Sequence, residues 1–314
     1  MSTKSFVAIA GATGTMGKLI ASELRKRGVI VKALVRPGST STKTDPLLQI
    51  PGVSVVEVDL ADTPTLTREL TGARCVVSTL QGLADVILTA QGRLLDAAVS
   101  AKVPRFIPSD FSIDFTKTKT GSNRNLDLRR SFHPRLDESG IAWTSILNGA
   151  FTDLLIGEVS LVDRKKRKVV YAGSADQKLD FTTMADTAAY TAAVAADPKP
   201  APKLLRIAGD VASARELAAI AARADGSDSA RPFSVSWIGA VWFLELIISV
   251  MRRVMGGEDK MMPPWQGMQY MANMFSGKAK LEPLDNARYP DIVWTKVEDF
   301  LRDHYKNEAE TPKK

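Results

Sequence analysis

Cysteine is almost absent: Cys75 is the only one in the sequence. One thiol cannot close an internal disulfide, so nothing argues for an oxidising compartment, and the cytoplasm is the simplest expected address. A bilayer-length apolar run is also missing. The longest, Trp237 to Met251, has 15 residues and is broken by Glu245, short of the roughly 20 needed to span a membrane. The apolar stretch Phe6 to Ala10 is too short for the core of a signal peptide and runs straight into glycine. Charge of one sign does not dominate: 42 Lys and Arg against 35 Asp and Glu leave a net +7, with both signs spread along the chain, too small an excess to require a polyanionic partner. The densest basic run, Arg164 to Lys168, has no interleaved aromatics and is flanked by Leu161-Val162 and Val169-Val170-Tyr171. It reads as the turn of a hairpin over 162–173 rather than a nucleic-acid patch. No nucleic-acid partner, membrane span or metal is therefore expected.

What is present is material for packed cores. At 314 residues, 45% of them hydrophobic, the chain can form one large domain or two ordinary ones. Near-continuous Val- and Ile-rich runs at Phe6–Ala10, Val29–Val35, Val53–Leu60, Cys75–Leu80, Arg105–Pro108 and Trp143–Leu147 suit strands buried on both faces. Between them Met16–Arg27, Pro64–Leu70, Asp85–Ala101 and Asn125–Ser139 read as helices; in the first, Met16, Leu19, Ile20 and Leu24 share one face. Strand and helix in alternation predict an α/β fold with a doubly wound parallel Rossmann sheet. Beyond Phe151 the pattern is mixed. A helix over 183–197, a strand at Leu204–Ala208 and an alanine-rich helix over 213–225 are expected, the last begun by Ser213 with Glu216 at capping-box spacing. The expected division is 1–155 as the Rossmann domain, with segments near 180–210 returning to it, and 156–314 as a smaller, mostly helical region.

Between the first strand and first helix stands Gly11-Ala-Thr-Gly14-Thr-Met-Gly17. Gly11 suits a tight turn, Gly14 lets a pyrophosphate approach the backbone, and Gly17 lets the helix pack closely on the strand. The helix N-terminus then offers unpaired N–H groups to phosphate. A glycine-rich turn without a ligand is the competing reading. At the end of the second strand the sequence runs Leu-Val-Arg36, with no Asp or Glu before Asp45, and a basic residue there favours the 2′-phosphate of NADP over the free ribose of NAD. Lys43 is a second candidate for that phosphate. Asp59 is placed either to meet the adenine edge or to cap a turn.

These motifs, together with "QGRLLDAAVSAKVPRFIPSDF" (91–111), "SGIAWTSILNGAF" (139–151) and "DFTTMADTAAYTAAV" (180–194), resemble the NmrA-like and isoflavone-reductase-like family. Its members are atypical short-chain dehydrogenase relatives, among them plant phenylcoumaran benzylic ether and pinoresinol–lariciresinol reductases. The resemblance covers most of residues 4 to 225. It implies NADPH lying across the carboxyl ends of the strands, with hydride delivered to a substrate under the C-terminal region. Cofactor contacts are then expected at Gly11, Thr13, Gly14, Thr15, Met16, Gly17 and Arg36, at Thr79, Leu80 and Gln81, and at Asn148 and Phe151. Pro108-Ser109-Asp110-Phe111 carries Asp where plant members usually have Glu.

The expected chemistry lacks its usual base. No tyrosine has lysine four residues on, and there is no lysine between Arg124 and Gly140; the resemblance implies a general-base lysine at or near the position of Arg129, counted back from Gly140. An arginine stays protonated and cannot act as a base. Three accounts remain. His133, one helical turn from Arg129, or Asp110 handles the proton, a surface histidine before Pro134 being the plainer alternative. Or the substrate takes its proton from water, with Arg129 as a cationic stabiliser. Or the chain is a non-catalytic NADP(H)-sensing regulator of the NmrA type. Trp237, Trp242, Trp265 and Met268, in two Trp- and Met-rich segments, are candidate substrate contacts, with core packing or a dimer face as the alternative. The expectation is an NADPH-dependent reductase of an aromatic, quinone-like or conjugated small molecule, monomeric or homodimeric.

Overall fold

The computed structural model describes residues 5–39, 41–156, 160–226 and 232–310. The first half of the chain alternates β1 (Phe6–Ala10), α1 (Thr15–Lys26), β2 (Ile30–Val35), α2 (Ser41–Leu48), β3 (Val53–Glu57), α3 (Thr63–Leu70), β4 (Ala73–Ser78), α4 (Gln91–Ser100), β5 (Arg105–Ile107), α5 (Arg124–Glu138), β6 (Ala142–Trp143) and β7 (Ser145–Leu147). There follow β8 (Ala150–Phe151), β9 (Val162–Asp163), β10 (Lys168–Tyr171), β11 (Leu179–Thr182), α6 (Met184–Ala196), β12 (Leu204–Arg206), β13 (Asp210–Ala212), α7 (Ala214–Asp225), β14 (Ser234–Trp237), α8 (Val241–Met255), α9 (Pro264–Phe275) and α10 (Val297–Glu310).

Two compact units share this chain, and neither is one continuous segment. The first comprises 1–111, 125–147 and 187–205; the second comprises 112–124, 148–186 and 206–314. In the first unit six strands form one sheet in the order β3-β2-β1-β4-β5-β6, every pair parallel. This is the doubly wound Rossmann order, reversing direction between β1 and β4. Continuous apolar strands permit it, because helices cover both faces. Val7, Ala8 and Ile9 of β1 are fully buried, and Ala8 packs in a core with Leu34, Val76, Leu94 and Phe106. On α1, Ile20 and Leu24 face the core as expected, with Gly17 and Ala21 beside them, whereas Met16 and Leu19 are only half-buried.

Arg105 fastens this unit internally. Its guanidinium donates to the carbonyls of Val194 (2.5 Å), Asp197 (2.8 Å) and Lys199 (2.5 Å) at the C-terminal end of α6, where helix carbonyls lack intrahelical partners.

The structure departs from the expected elements where distant partners intervene. The predicted strand Trp143–Leu147 divides: Thr144 N–H donates to Phe106 O while Ser145 N–H donates to Lys203 O, so β6 joins the large sheet and β7 pairs with β12. Strand Val53–Leu60 stops at Glu57, and Asp59 turns the chain by accepting from Ala61 N–H at 2.9 Å. The predicted helix Asp85–Ala101 begins as a π-helical turn over Asp85–Ala90. α2 has no counterpart among the expected helices.

In the second unit, β9 and β10 form the antiparallel hairpin expected at 162–173, and two arginines of its basic turn share one acid: Arg164 and Arg167 both donate to Asp225 at 2.7 Å. The capping box at the start of α7 is formed, Ser213 Oγ accepting from Glu216 N–H and Glu216 accepting from Ser213 N–H. Its core gathers Phe181, Leu217, Trp265, Phe275 and Leu301. Among the described residues no helix is long and apolar enough to cross a membrane.

Candidate functional site

A cavity of about 610 Å³ lies at the carboxyl ends of β1, β2, β3 and β4, beside the point where the sheet order reverses. Open α/β sheets bind ligands at that point, because the loops there diverge to opposite faces and leave a crevice. Its floor is the glycine turn. Gly11 has a φ of 80°, and a Cβ on it would lie 2.8 Å from both the carbonyl oxygen and the Oγ1 of Thr79. Thr79 is itself fixed by donating through N (2.8 Å) and Oγ1 (2.9 Å) to Ala10 O. A Cβ on Gly17 would lie 2.6 Å from Gly11 O and 2.7 Å from Ala12 Cα. Both contacts are with backbone, which cannot give way as a side chain would. Gly14, in extended conformation at φ −74° and ψ 164°, is the N-cap of α1 and offers no side-chain acceptor. The first turn, Thr15-Met16-Gly17, carries no acidic residue, so its N–H groups and positive dipole end are left for an anion.

Of the expected cofactor contacts, Gly11, Thr13, Arg36, Thr79, Leu80 and Gln81 line the cavity, and Gly14 to Gly17 form the adjoining helix start. Arg36 stands just beyond β2 with its side chain exposed, Lys43 is on α2, and both line the cavity with Asp59 and Asp85. Sequence reasoning missed Arg93, an exposed α4 residue on the same wall. Its signal was only an outward basic position on an amphipathic helix, which is commonplace. The glycines a Cβ would overfill, the helix N-terminus and the three cations together fit a dinucleotide carrying an extra phosphate.

The strand end beyond β5 carries the second group of candidates. Gln91, buried at the start of α4, accepts from Ser109 N–H through Oε1 at 3.0 Å. From α5, Arg129 donates through Nε to Ser109 O (3.0 Å) and through Nη1 to Asn125 O (2.9 Å). The backbone that presents Asp110 is therefore held from both sides. Asp110 is fully buried; its Oδ2 lies 2.8 Å from His133 Nε2, and its Oδ1 has no hydrogen-bond partner among the described residues. His133 is not a surface residue: its side chain is 14% exposed and its ring rests against Trp143 at 4.8 Å between centroids. Behind it, Asp137 accepts from Lys203 Nζ (2.5 Å) and Trp143 Nε1 (3.0 Å), and these bonds, led by the Lys203 contact, hold its carboxyl below the usual carboxylate range.

The remaining candidates lie in the second unit. Asn148 is fully buried; its carbonyl accepts from Thr182 Oγ1 at 2.7 Å, and its Oδ1 has no partner among the described residues. Phe151 ends β8, half-buried. Trp237 and Trp242 are 60% and 67% exposed. Trp265, expected as a substrate contact, is a core residue: it is fully buried, donates through Nε1 to Gly256 O at 2.8 Å and is flanked by the guanidinium groups of Arg124 and Arg252 at 4.8 and 4.9 Å. Met268 packs half-buried on the same core. The expectation for these residues rested on side-chain type, which does not distinguish a pocket wall from a packed interior.

Sheet order, glycine turn and crevice define the class, a Rossmann-type nucleotide-binding protein. The family model described as NmrA-like family matches residues 3–234. The chain belongs to the NmrA-like family. It is 30% identical to isoflavone reductase homolog IRL of Zea mays over 220 residues, 66% of this chain and 69% of that one. Among solved structures, AtPrR2 with NADP⁺ and (+)-pinoresinol superposes with a TM-score of 0.79 at 21% identity, covering 96% of this chain and 99% of that one. The binary complex of leucoanthocyanidin reductase and NADPH from Vitis vinifera gives 0.79 at 19% identity, covering 96% and 100%.

Proposed function

We propose that the protein is an NADPH-dependent reductase that delivers hydride to an aromatic, quinone-like or conjugated small molecule. The observation that carries this reading is the cavity at the sheet's switch point, lined by Gly11, whose added Cβ would lie 2.8 Å from Thr79, and by Arg36, Lys43 and Arg93. The likeness to an isoflavone reductase homolog, to a leucoanthocyanidin reductase and to a structure holding (+)-pinoresinol supports the substrate class. In this reading Gly11 to Gly17 and the start of α1 receive the pyrophosphate, while Arg36 and Lys43 hold the 2′-phosphate. Thr79, Leu80 and Gln81 line the channel from β4, and Asn148 and Phe151 are the further cofactor contacts. Bound NADPH supplies the hydride.

For the proton, the chain's own candidates are Asp110 and His133, whose Oδ2 and Nε2 lie 2.8 Å apart. The unpartnered Oδ1 of Asp110 gives that pair a free acceptor. Arg129 places a fixed positive charge beside Ser109 and keeps the strand end from shifting.

A second reading, a regulator that senses NADP(H) without turning it over, is favoured by one observation. The position of the family's base holds an arginine with Nε and Nη1 committed to backbone carbonyls. One experiment separates the two. Purified protein is mixed with NADPH and a panel of quinones, enones and aryl ethers, and absorbance at the reduced-nicotinamide band is followed. Protein-dependent oxidation with any of them is the expected result. No oxidation, with NADP⁺ and NADPH bound at different affinities, would replace the reductase by the sensor.

A further inference from the structure

Helix α4 does not begin as an α-helix. Over Asp85–Ala90 the chain makes a π-helical turn, completed where Gln91 N–H donates to Val86 O, five residues back rather than four. The extra residue alters what the helix presents. Positions five apart in an α-helix are rotated by about 140°, which would turn Asp85 away from Ala90. A π-helical turn brings them nearly into line, and Asp85, Val86, Ala90 and Arg93 all line the cavity.

Gln91 is fully buried beside that wall, and its side-chain amide bonds at both ends: Nε2 donates to Ile87 O inside the π-helical turn at 3.4 Å, and Oε1 accepts from Ser109 N–H at 3.0 Å. Ser109 is the centre of a tight reversal in which Asp110 N–H donates to Pro108 O at 2.9 Å, the three-residue pattern of a γ-turn. The Ser109 carbonyl goes to Arg129, so both polar backbone groups of the central residue are held by side chains from helices. Packing alone does not call for glutamine at this position. Leu94, Leu95, Ala97 and Ala98 of α4 are apolar and fully buried, and an apolar residue would avoid burying an amide. What an apolar side chain cannot do is bond the γ-turn to the wall.

We infer that Gln91 is a positioning residue: it sets the γ-turn at Ser109, and with it the Asp110–His133 pair, against the wall that α4 gives the cofactor. A cofactor that presses on Asp85, Val86 or Ala90 then acts, through one side chain, on the carboxylate that faces His133. That the pair moves a proton rests on the reductase reading, whereas the hold of Gln91 on it does not. A displacement of about 1 Å at reacting groups can cost on the order of a hundredfold in rate, so a bond lost at Ser109 reaches the chemistry without touching cofactor or substrate.

Gln91→Met keeps the side-chain volume and removes both bonds. With whichever quinone, enone or aryl ether the wild type reduces, its kcat is expected to fall about 30-fold while the KM for NADPH changes less than about threefold. Gln91→Glu, which keeps an acceptor for Ser109 N–H, is expected to recover most of the rate. His133 and His304 are the only histidines, so isotope-edited NMR follows each imidazole separately. In the cofactor-free proteins the His133 signals are expected to move in Gln91→Met and to return in Gln91→Glu, with those of His304 constant. 2′,5′-ADP carries the adenine and the extra phosphate without the nicotinamide, and its binding to wild type is expected to shift His133 as well, a result that needs no substitution to fold. His133 signals alike in wild type and Gln91→Met would overturn the inference, as would wild-type signals indifferent to bound 2′,5′-ADP or a loss confined to the KM for NADPH. A wild type that oxidises no NADPH would remove the reductase reading alone, the His133 signals still deciding the role of Gln91.

Discussion

Replacing Arg36 by Glu tests the cofactor assignment most directly. Arg36 follows the second strand of the sheet, exposed on the wall of the cavity. Its backbone carbonyl, not its side chain, accepts from Ser39 N–H and Oγ, so the exchange leaves the local turn intact. It removes a cation from a phosphate and installs an anion. Two unit charges about 4 Å apart interact by roughly 4 kcal/mol at an effective dielectric of about 20. Solvent exposure reduces such energies severalfold, leaving about 2 to 3 kcal/mol for the swap. The dissociation constant for NADPH should therefore rise about 30- to 150-fold. NADH, with no 2′-phosphate, should shift by less than about threefold, since only distant phosphate charge is affected. Isothermal titration with both cofactors at two salt concentrations reads this, and the NADPH penalty should shrink at the higher one. Equal weakening of both, or weakening of neither, would refute the placement of the 2′-phosphate at Arg36.

Gly17→Ala should cost about 1 to 3 kcal/mol in a chemical-denaturation measurement, because the new methyl meets backbone at 2.6 and 2.7 Å; it should also weaken NADPH. Cys75 sits fully buried in β4, and burial pushes its thiol up to about 12, so a disulfide reagent should label it only as fast as the protein unfolds; immediate stoichiometric labelling would contradict the buried strand. Asp186 is buried against Thr295 N–H (2.8 Å) and Oγ1 (3.1 Å), and burial, the largest influence, raises its carboxyl above 3.8. The folded state therefore holds this proton more tightly than the unfolded chain does. Wild-type stability relative to Asp186→Asn should be greatest below 3.8 and decline as pH rises through the raised value. A difference that grows with pH across that window would reverse the assignment.

What could be read in advance was local. Gly11, Gly14 and Gly17 announce a strand–turn–helix because their spacing is itself the constraint, and Ser213 with Glu216 announces a helix start because both partners lie within four residues. What could not be read depended on residues far along the chain. The apolar run divides at Thr144 only because its own N–H goes to Phe106 O and the next, Ser145 N–H, to Lys203 O. His133 looked like a surface residue because its partner Asp110 lies 23 positions upstream. Arg129 stood where a base was sought, and no local pattern tells that its guanidinium reaches back to Ser109. α2, rich in Ser and Thr with Pro46 inside it, carries no periodic signal. Trp265 and Trp242 are chemically alike in the sequence, yet one is enclosed and the other two-thirds exposed.

The grip of Arg105 on the end of α6 bears on the order in which the molecule is made. Its three carbonyl acceptors lie 89 to 94 residues downstream, and β7 likewise waits for β12. A nascent chain that has just completed β6 holds all six strands of the parallel sheet but lacks these fasteners. The strand leading to Asp110 can be secured only after the intervening part of the second unit has emerged from the ribosome. Contacts this far apart in sequence are late and slow to form. Synthesis therefore delays completion of the nucleotide-binding unit until residue 205, past the 148–186 segment of the second unit, and a fragment ending near residue 155 should not reproduce it.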